Sequence, residues 1–133
     1  MTMPPRLLVV EDERELLRAL RVRFTAAGFT CETAANGKEG LAKLEGWRPD
    51  LIIADLVMPE MDGYEMIHRV QLGDRTAAIP VVVLTAVPEH TLDRRMTQLK
   101  VARIFYKPFD SEALLVTVRE LLALPTPGGP HHG

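Results

Sequence analysis

The sequence predicts an α/β fold: a doubly wound, five-stranded parallel sheet with helices on both faces. Three observations carry this reading. Four short apolar runs, rich in β-branched residues, are continuous where a half-exposed strand would alternate with polar residues, and only a strand covered on both sides needs that composition. Segments with helical spacing lie between the runs, so strand and helix alternate five times, the order that right-handed crossovers in a parallel sheet produce. The chain has 133 residues, 47% of them hydrophobic, enough for one packed core and too few for two domains.

The elements follow in order. Leu7 to Val10 form the first strand, and Leu16, Leu17, Leu20 and Phe24 mark one face of the first helix, which Gly28 ends. A weaker strand spans Phe29 to Thr33. Asn36-Gly37 opens a second helix carrying Leu41 and Leu44. Leu51 to Ala54 form the third strand, and Gly63 precedes a third helix with Tyr64, Ile67 and Val70 on one face. After the fourth strand, Val81 to Leu84, Pro88 fits the first turn of a fourth helix bearing Leu92, Met96 and Leu99. Ile104 to Tyr106 form the fifth strand. Asp110 or Ser111 caps a fifth helix with a buried stripe of Leu114, Leu115, Val118, Leu121 and Leu122. Residues 125–133, PTPGGPHHG, carry no apolar pattern and are expected to be disordered; whether His131 and His132 are native is left open.

Composition narrows the function. Sixteen Lys+Arg against eighteen Asp+Glu give a net charge of -2, so there is no basic excess to hold a nucleic-acid backbone. One cysteine, Cys31, excludes a disulfide framework and a CxxC zinc site. It is expected to be a small buried hydrophobe. No apolar run approaches the roughly 20 residues of a membrane span, and the first residues lack a signal peptide's apolar core. A cytoplasmic protein with no membrane and no nucleic-acid partner is the expectation. His68 and His90 have no companions for metal binding, and Trp47 and Phe24 are expected to pack against the sheet.

In an open parallel sheet, ligands bind beyond the carboxyl ends of the strands. The first strand runs into Glu11-Asp12, the third into Asp55, the fourth into Thr85 and the fifth into Lys107-Pro108. Any one such residue is usually an ordinary loop residue, but five at four strand ends form a constellation. Crowded carboxylates repel and need a cation to stay ionised. Lys107 supplies one charge, and an all-oxygen cluster suits Mg²⁺. The same composition suits phosphoryl transfer, in which a carboxylate acts as nucleophile and forms an acyl phosphate. Asp55, at the end of a central strand, is the candidate nucleophile. Glu11 and Asp12 are metal ligands, and Thr85 and Lys107 are partners for phosphoryl oxygens. Ala86, small and beside Thr85, leaves the approach open.

These residues carry a resemblance. The chain resembles the receiver domain of two-component response regulators, of the stand-alone chemotaxis-regulator type, over residues 5–124. The matching segments are LLVVEDE, DLIIADLVMPEMDG, VVVLTA and FYKPF, with Asp12, Asp55, Thr85 and Lys107 spaced by 43, 30 and 22 residues. The resemblance implies a flavodoxin-like sheet of strand order 2-1-3-4-5. It implies that Asp55 accepts a phosphoryl group from a histidine kinase or histidine phosphotransfer protein. It further implies Mg²⁺ held by Glu11, Asp12, Asp55 and the backbone carbonyl of Val57. Thr85 and Lys107 then sense the phosphoryl group and shift the surface made by the fourth helix, fifth strand and fifth helix, where a downstream protein binds. The Lys107-Pro108 bond is expected to be cis, and Pro59 and Gly63 shape the loop beyond Asp55.

Departures from the family pattern matter too. Glu11 stands where Asp is usual, keeping the charge with one more methylene. Ile104 stands where an aromatic commonly swings inward, so a swinging ring at that position is not the readout. Lys100-Val101-Ala102-Arg103 replaces a common acidic turn, and Arg103 disfavours one symmetric dimer of the family. Between Glu89 and Lys107 five basic residues face two acidic ones, a basic stretch read first as a solvated face. Val57 and Val87, two positions after Asp55 and Thr85, are apolar and orient water poorly, so a long-lived phosphoform is expected, with self-phosphorylation and slow self-dephosphorylation as the only catalysis. A haloacid-dehalogenase-type hydrolase needs a second acid where Val57 stands. A docking module that keeps the fold without being phosphorylated is the alternative reading, and Ile104 is its best support.

Overall fold

The computed structural model describes residues 3–92 and 94–125. Five parallel strands, β1 (Arg6–Val10), β2 (Thr30–Ala34), β3 (Leu51–Asp55), β4 (Val81–Thr85) and β5 (Arg103–Tyr106), form one sheet in the order β2-β1-β3-β4-β5. Among the described residues, four α-helices accompany it: α1 (Arg14–Ala26), α2 (Gly37–Lys43), α3 (Gly63–Leu72) and α4 (Ser111–Leu121). The predicted architecture is therefore present, with strand boundaries shifted by a residue or so.

Both faces of the sheet are covered, and alternate residues of each strand serve opposite cores. Leu7, Val9, Leu51, Ile53, Val82 and Leu84 pack under α1 and α4 with Leu20, Phe24, Leu114 and Val118. Leu8, Val10, Ile52, Ala54, Val81 and Val83 face the other way, against Met66, Ile67 and Val70 of α3. Trp47 joins this second cluster and lies under the Arg6 guanidinium. Phe24 and Cys31 are buried in the first. His68 and His90 are exposed.

The helix starts follow from capping chemistry. The side chains of Asn36, Asp62 and Asp110 accept the backbone N–H groups of Glu39, Glu65 and Glu112 at 2.8, 2.9 and 2.9 Å. Gly28 follows the end of α1 with φ +98°, a backbone region that disfavours a Cβ.

The predicted fourth helix is the exception. Among the described residues from 88 to 99 there is no α-helix; Glu89–Thr91 and Arg94–Gln98 each form a 3₁₀ turn. Leu92 after the first turn is extended, with φ -60° and ψ 136°, and this breaks the helical hydrogen-bond ladder. Leu92, Met96 and Leu99 still pack on the core cluster, which explains their spacing without an α-helix. The C-terminal helix is consequently α4. Residues 126–133, including His131 and His132, and the acidic Asp93 lie outside the described residues. Among the described residues, no helix is long and apolar enough to cross a membrane.

Candidate functional site

The carboxyl ends of β1, β3, β4 and β5 bring the predicted residues to one rim. Asp55 and Thr85 are the last residues of their strands, while Glu11 and Lys107 directly follow β1 and β5. Glu11 is buried, 1% exposed, and Asp55 is 5% exposed, whereas Asp12 is open to solvent. Lys107 Nζ donates to Glu11 Oε1 at 2.9 Å and to Asp55 Oδ2 at 3.0 Å. One ammonium thus bridges two buried carboxylates.

The remaining oxygens are held by backbone. Glu13 N–H donates to Glu11 Oε2 at 3.0 Å, and Val57 N–H donates to Asp55 Oδ1 at 3.2 Å. Thr85 Oγ1 accepts from Val87 N–H at 3.0 Å, which leaves its hydroxyl proton available for another acceptor. Lys107 N–H donates to the Thr85 carbonyl at 2.7 Å, tying the lysine to the end of β4. The Lys107-Pro108 peptide is cis.

Burial pushes the Glu11 carboxyl above its ordinary value, against the opposing pull of the Glu13 N–H and Lys107. Burial pulls Lys107 down, but its hydrogen bonds to Glu11 and Asp55 outweigh that and leave it raised. Lys107 is therefore a fixed cation.

The loop leaving Asp55 is shaped by close contact. Gly63 N–H donates to the Leu56 carbonyl at 2.9 Å, and a Cβ on Gly63 would stand 2.0 Å from the Asp55 carbonyl oxygen. No side chain fits there. Glu60 adopts φ +67°, and Met61 N–H reaches back to the Pro59 carbonyl at 2.8 Å. Val57 is 61% exposed at the mouth of the site, Ala86 is exposed beside Thr85, and Val87 is half-buried. Ile104 pairs with Val83 in register and, half-buried, packs against the same core cluster as Leu92, Met96 and Leu99.

Glu13 escaped the sequence reading. Its carboxylate lies 3.8 Å from Lys107 Nζ, a contact between distant strand ends that its place within LLVVEDE does not encode. The same holds for Asp62, seen only as part of a motif.

Carboxylate oxygens of Glu11, Asp12 and Asp55 lie within 4.8 Å of one another. An all-oxygen set at that spacing fits a hard divalent cation such as Mg²⁺. The sheet order, this acidic cluster and the bridging lysine can be compared with known proteins, and residues 7–119 match the model of the response regulator receiver domain. The chain belongs to this family. It is 36% identical over 127 residues to response regulator MprA of Mycolicibacterium vanbaalenii, covering 94% of this chain and 53% of that protein. It is 35% identical over 120 residues to hybrid signal transduction histidine kinase D of Dictyostelium discoideum, covering 90% of this chain and 8% of the kinase. Among solved structures, the chemotaxis response regulator CheY4 of Vibrio cholerae superposes with a TM-score of 0.82 at 30% identity, covering 89% of this chain and 98% of that one. This receiver domain thus spans about half the length of MprA and a small part of the kinase.

Proposed function

We propose that this receiver domain is a phosphorylation-activated switch: Asp55 accepts a phosphoryl group from a phosphohistidine on a histidine kinase or phosphotransfer protein, and the phosphoform signals by binding another protein. The observation that carries the reading is the Lys107 ammonium bridging Asp55 and Glu11. It holds the Asp55 carboxylate in place, and it stands where a new phosphoryl oxygen needs a cation.

In the transfer, an Asp55 carboxylate oxygen attacks phosphorus as the bond from phosphorus to the donor's imidazole nitrogen breaks. The imidazole leaves with the electron pair and takes up a proton, and an acyl phosphate forms. Glu11, Asp12, Asp55 and the Val57 carbonyl would hold Mg²⁺, which when bound neutralises phosphoryl oxygen charge. Thr85 donates its free hydroxyl proton to a phosphoryl oxygen, and Lys107 moves part of its pairing from Asp55 to another. Because Lys107 and Thr85 are joined through the backbone, movement at one is felt by the other. The change is read on the surface formed by residues 88–99, β5 and α4. Val57 and Val87 offer no group to orient an attacking water, which favours a long-lived phosphoform and argues against a hydrolase.

Intact mass tests this directly. With phosphoramidate and Mg²⁺, the wild-type chain is expected to gain one phosphoryl group, and Asp55→Asn none. A wild-type chain that gains nothing at millimolar donor and Mg²⁺ would instead favour the docking module that is not phosphorylated, for which the inward-packed Ile104 is the supporting feature.

A further inference from the structure

Helices α2, α3 and α4 each begin on a residue whose side chain accepts one of the first helical N–H groups: Asn36, Asp62 and Asp110. Helix α1 does not. Glu13 precedes it with extended backbone, yet its carboxylate makes no capping hydrogen bond, although the first turn of a helix favours an anion. The carboxylate stands instead 3.8 Å from Lys107 Nζ.

Stability does not account for this placement. Lys107 has closer partners in Glu11 and Asp55, and the Glu13 side chain is 64% exposed, where a loose ion pair contributes little. The placement does change the charge at the entrance. Glu11 and Asp55 are buried and Lys107 is mostly covered, so Glu13 lies on their solvent side, its backbone held by its own N–H on Glu11 Oε2 at 3.0 Å. A donor that reaches Asp55 meets a negative group with no part in the transfer itself.

We propose that Glu13 is a specificity-determining residue of this site: it selects phosphoryl donors with a phosphorus–nitrogen bond, whose nitrogen side carries positive charge, over acyl phosphates. The inference rests on Asp55 being the phosphoacceptor. In either donor an Asp55 oxygen attacks phosphorus as the bond to the leaving group breaks, and the leaving group departs on the opposite side with the electron pair. A protonated amine or imidazole nitrogen leaves neutral. An acyl oxygen leaves as a carboxylate, so this donor carries one more negative charge throughout. In water, one unit of charge about 6 Å away changes a rate by about threefold.

The test compares wild type, Glu13→Gln and Glu13→Lys. Rate constants for phosphorylation by phosphoramidate and by acetyl phosphate are measured by intact mass at saturating Mg²⁺ and low salt. The ratio of the two is taken within each chain, so partial unfolding or weaker Mg²⁺ binding cancels. Phosphoramidate over acetyl phosphate is expected to fall about threefold in Glu13→Gln and about tenfold in Glu13→Lys. Both changes should shrink at about 1 M salt, where charge is screened beyond about 3 Å. A ratio equal to that of wild type in both variants overturns the selection while leaving Asp55 as acceptor. A shift that salt does not reduce also overturns it, since shape and not charge would then be responsible. If the wild-type chain gains a phosphoryl group from neither donor, the switch reading fails and this inference with it.

Discussion

Lys107 Nζ stands 2.9 Å from Glu11 Oε1, joining β5 to β1 across the rim of the sheet. Glu11 is so buried that this bond and the Glu13 N–H are what keep its charge tolerable. Lys107→Met removes the cation and leaves the carboxylate uncompensated, so about 2–3 kcal/mol of stability is expected to be lost at pH 7. The loss should shrink on acidification. A Glu whose folded pKa lies above its unfolded value favours the folded state below that window, and the benefit disappears as pH rises through the folded pKa. Glu11 is raised already with Lys107 present, and removing the lysine raises it further. Urea unfolding at pH 7 and pH 5 checks this, and an equal loss at both would show that Glu11 is not the group left stranded.

Gly63→Ala places a Cβ 2.0 Å from the Asp55 carbonyl oxygen and 2.8 Å from Leu56 Cα. Both are backbone atoms, so the loop carrying Asp55 must shift. A cost of about 3 kcal/mol is expected. Gly28→Ala is the control: φ is +98° there but no atom lies within 4 Å of the new Cβ, so only backbone strain of about 1–2 kcal/mol is expected. Comparable urea midpoints for the two variants would refute the steric argument.

Much of this was legible because burial on both faces forces a composition. Val81 to Leu84 can only be a covered strand, and once the strands are placed, Asp55, Thr85 and Lys107 fall at their carboxyl ends without further information. The spacing of Leu92, Met96 and Leu99 reports a buried side but not the backbone that delivers it, so two 3₁₀ turns read as an α-helix. Contacts such as Arg95 with Tyr64 depend on tertiary placement, which periodicity does not encode. Glu60 gave no signal either, since its left-handed backbone sits on a residue that is not glycine.

That backbone carries a consequence of its own. Glu60 at φ +67° and Ala123 at φ +56° each hold a Cβ in a region that favours glycine. Ala123 follows α4 in a Schellman-type end, with Leu124 N–H on the Arg119 carbonyl at 2.8 Å. Glu60→Gly and Ala123→Gly are each expected to stabilise the chain by about 0.5–1 kcal/mol, the relieved strain exceeding the extra freedom of the unfolded state. Guanidinium unfolding that places either variant below wild type would contradict this.

Val57 projects at the mouth of the site with 61% of its surface exposed, close enough along the loop to influence water but with no polar atom on its side chain. Val57→Gln supplies an amide that can orient water toward the acyl phosphate. Loss of the phosphoryl group, followed by intact mass after removal of donor, is expected to quicken about tenfold, equivalent to about 1.4 kcal/mol of barrier. An unchanged lifetime would show that Val57 does not limit hydrolysis.

Cys31 lies under the α1 side of the sheet with 5% of its surface exposed, and burial pushes its thiol up to about 11. At pH 8 the folded chain should therefore react with a thiol reagent far more slowly than the chain in urea, because the thiolate is the reactive form. The same shift predicts a pH effect on stability. Between pH 9 and 11 the unfolded thiol ionises while the folded one keeps its proton, so the folded state binds more protons and stability falls as pH rises. About 1 kcal/mol should be lost between pH 8 and pH 10, and Cys31→Ala should remove that slope while lowering stability at pH 8. Lys107, whose pKa is raised above 10.5, holds its charge through this range and loses its stabilising effect only at higher pH, so the two contributions separate. A slope that persists in Cys31→Ala would assign it to another group.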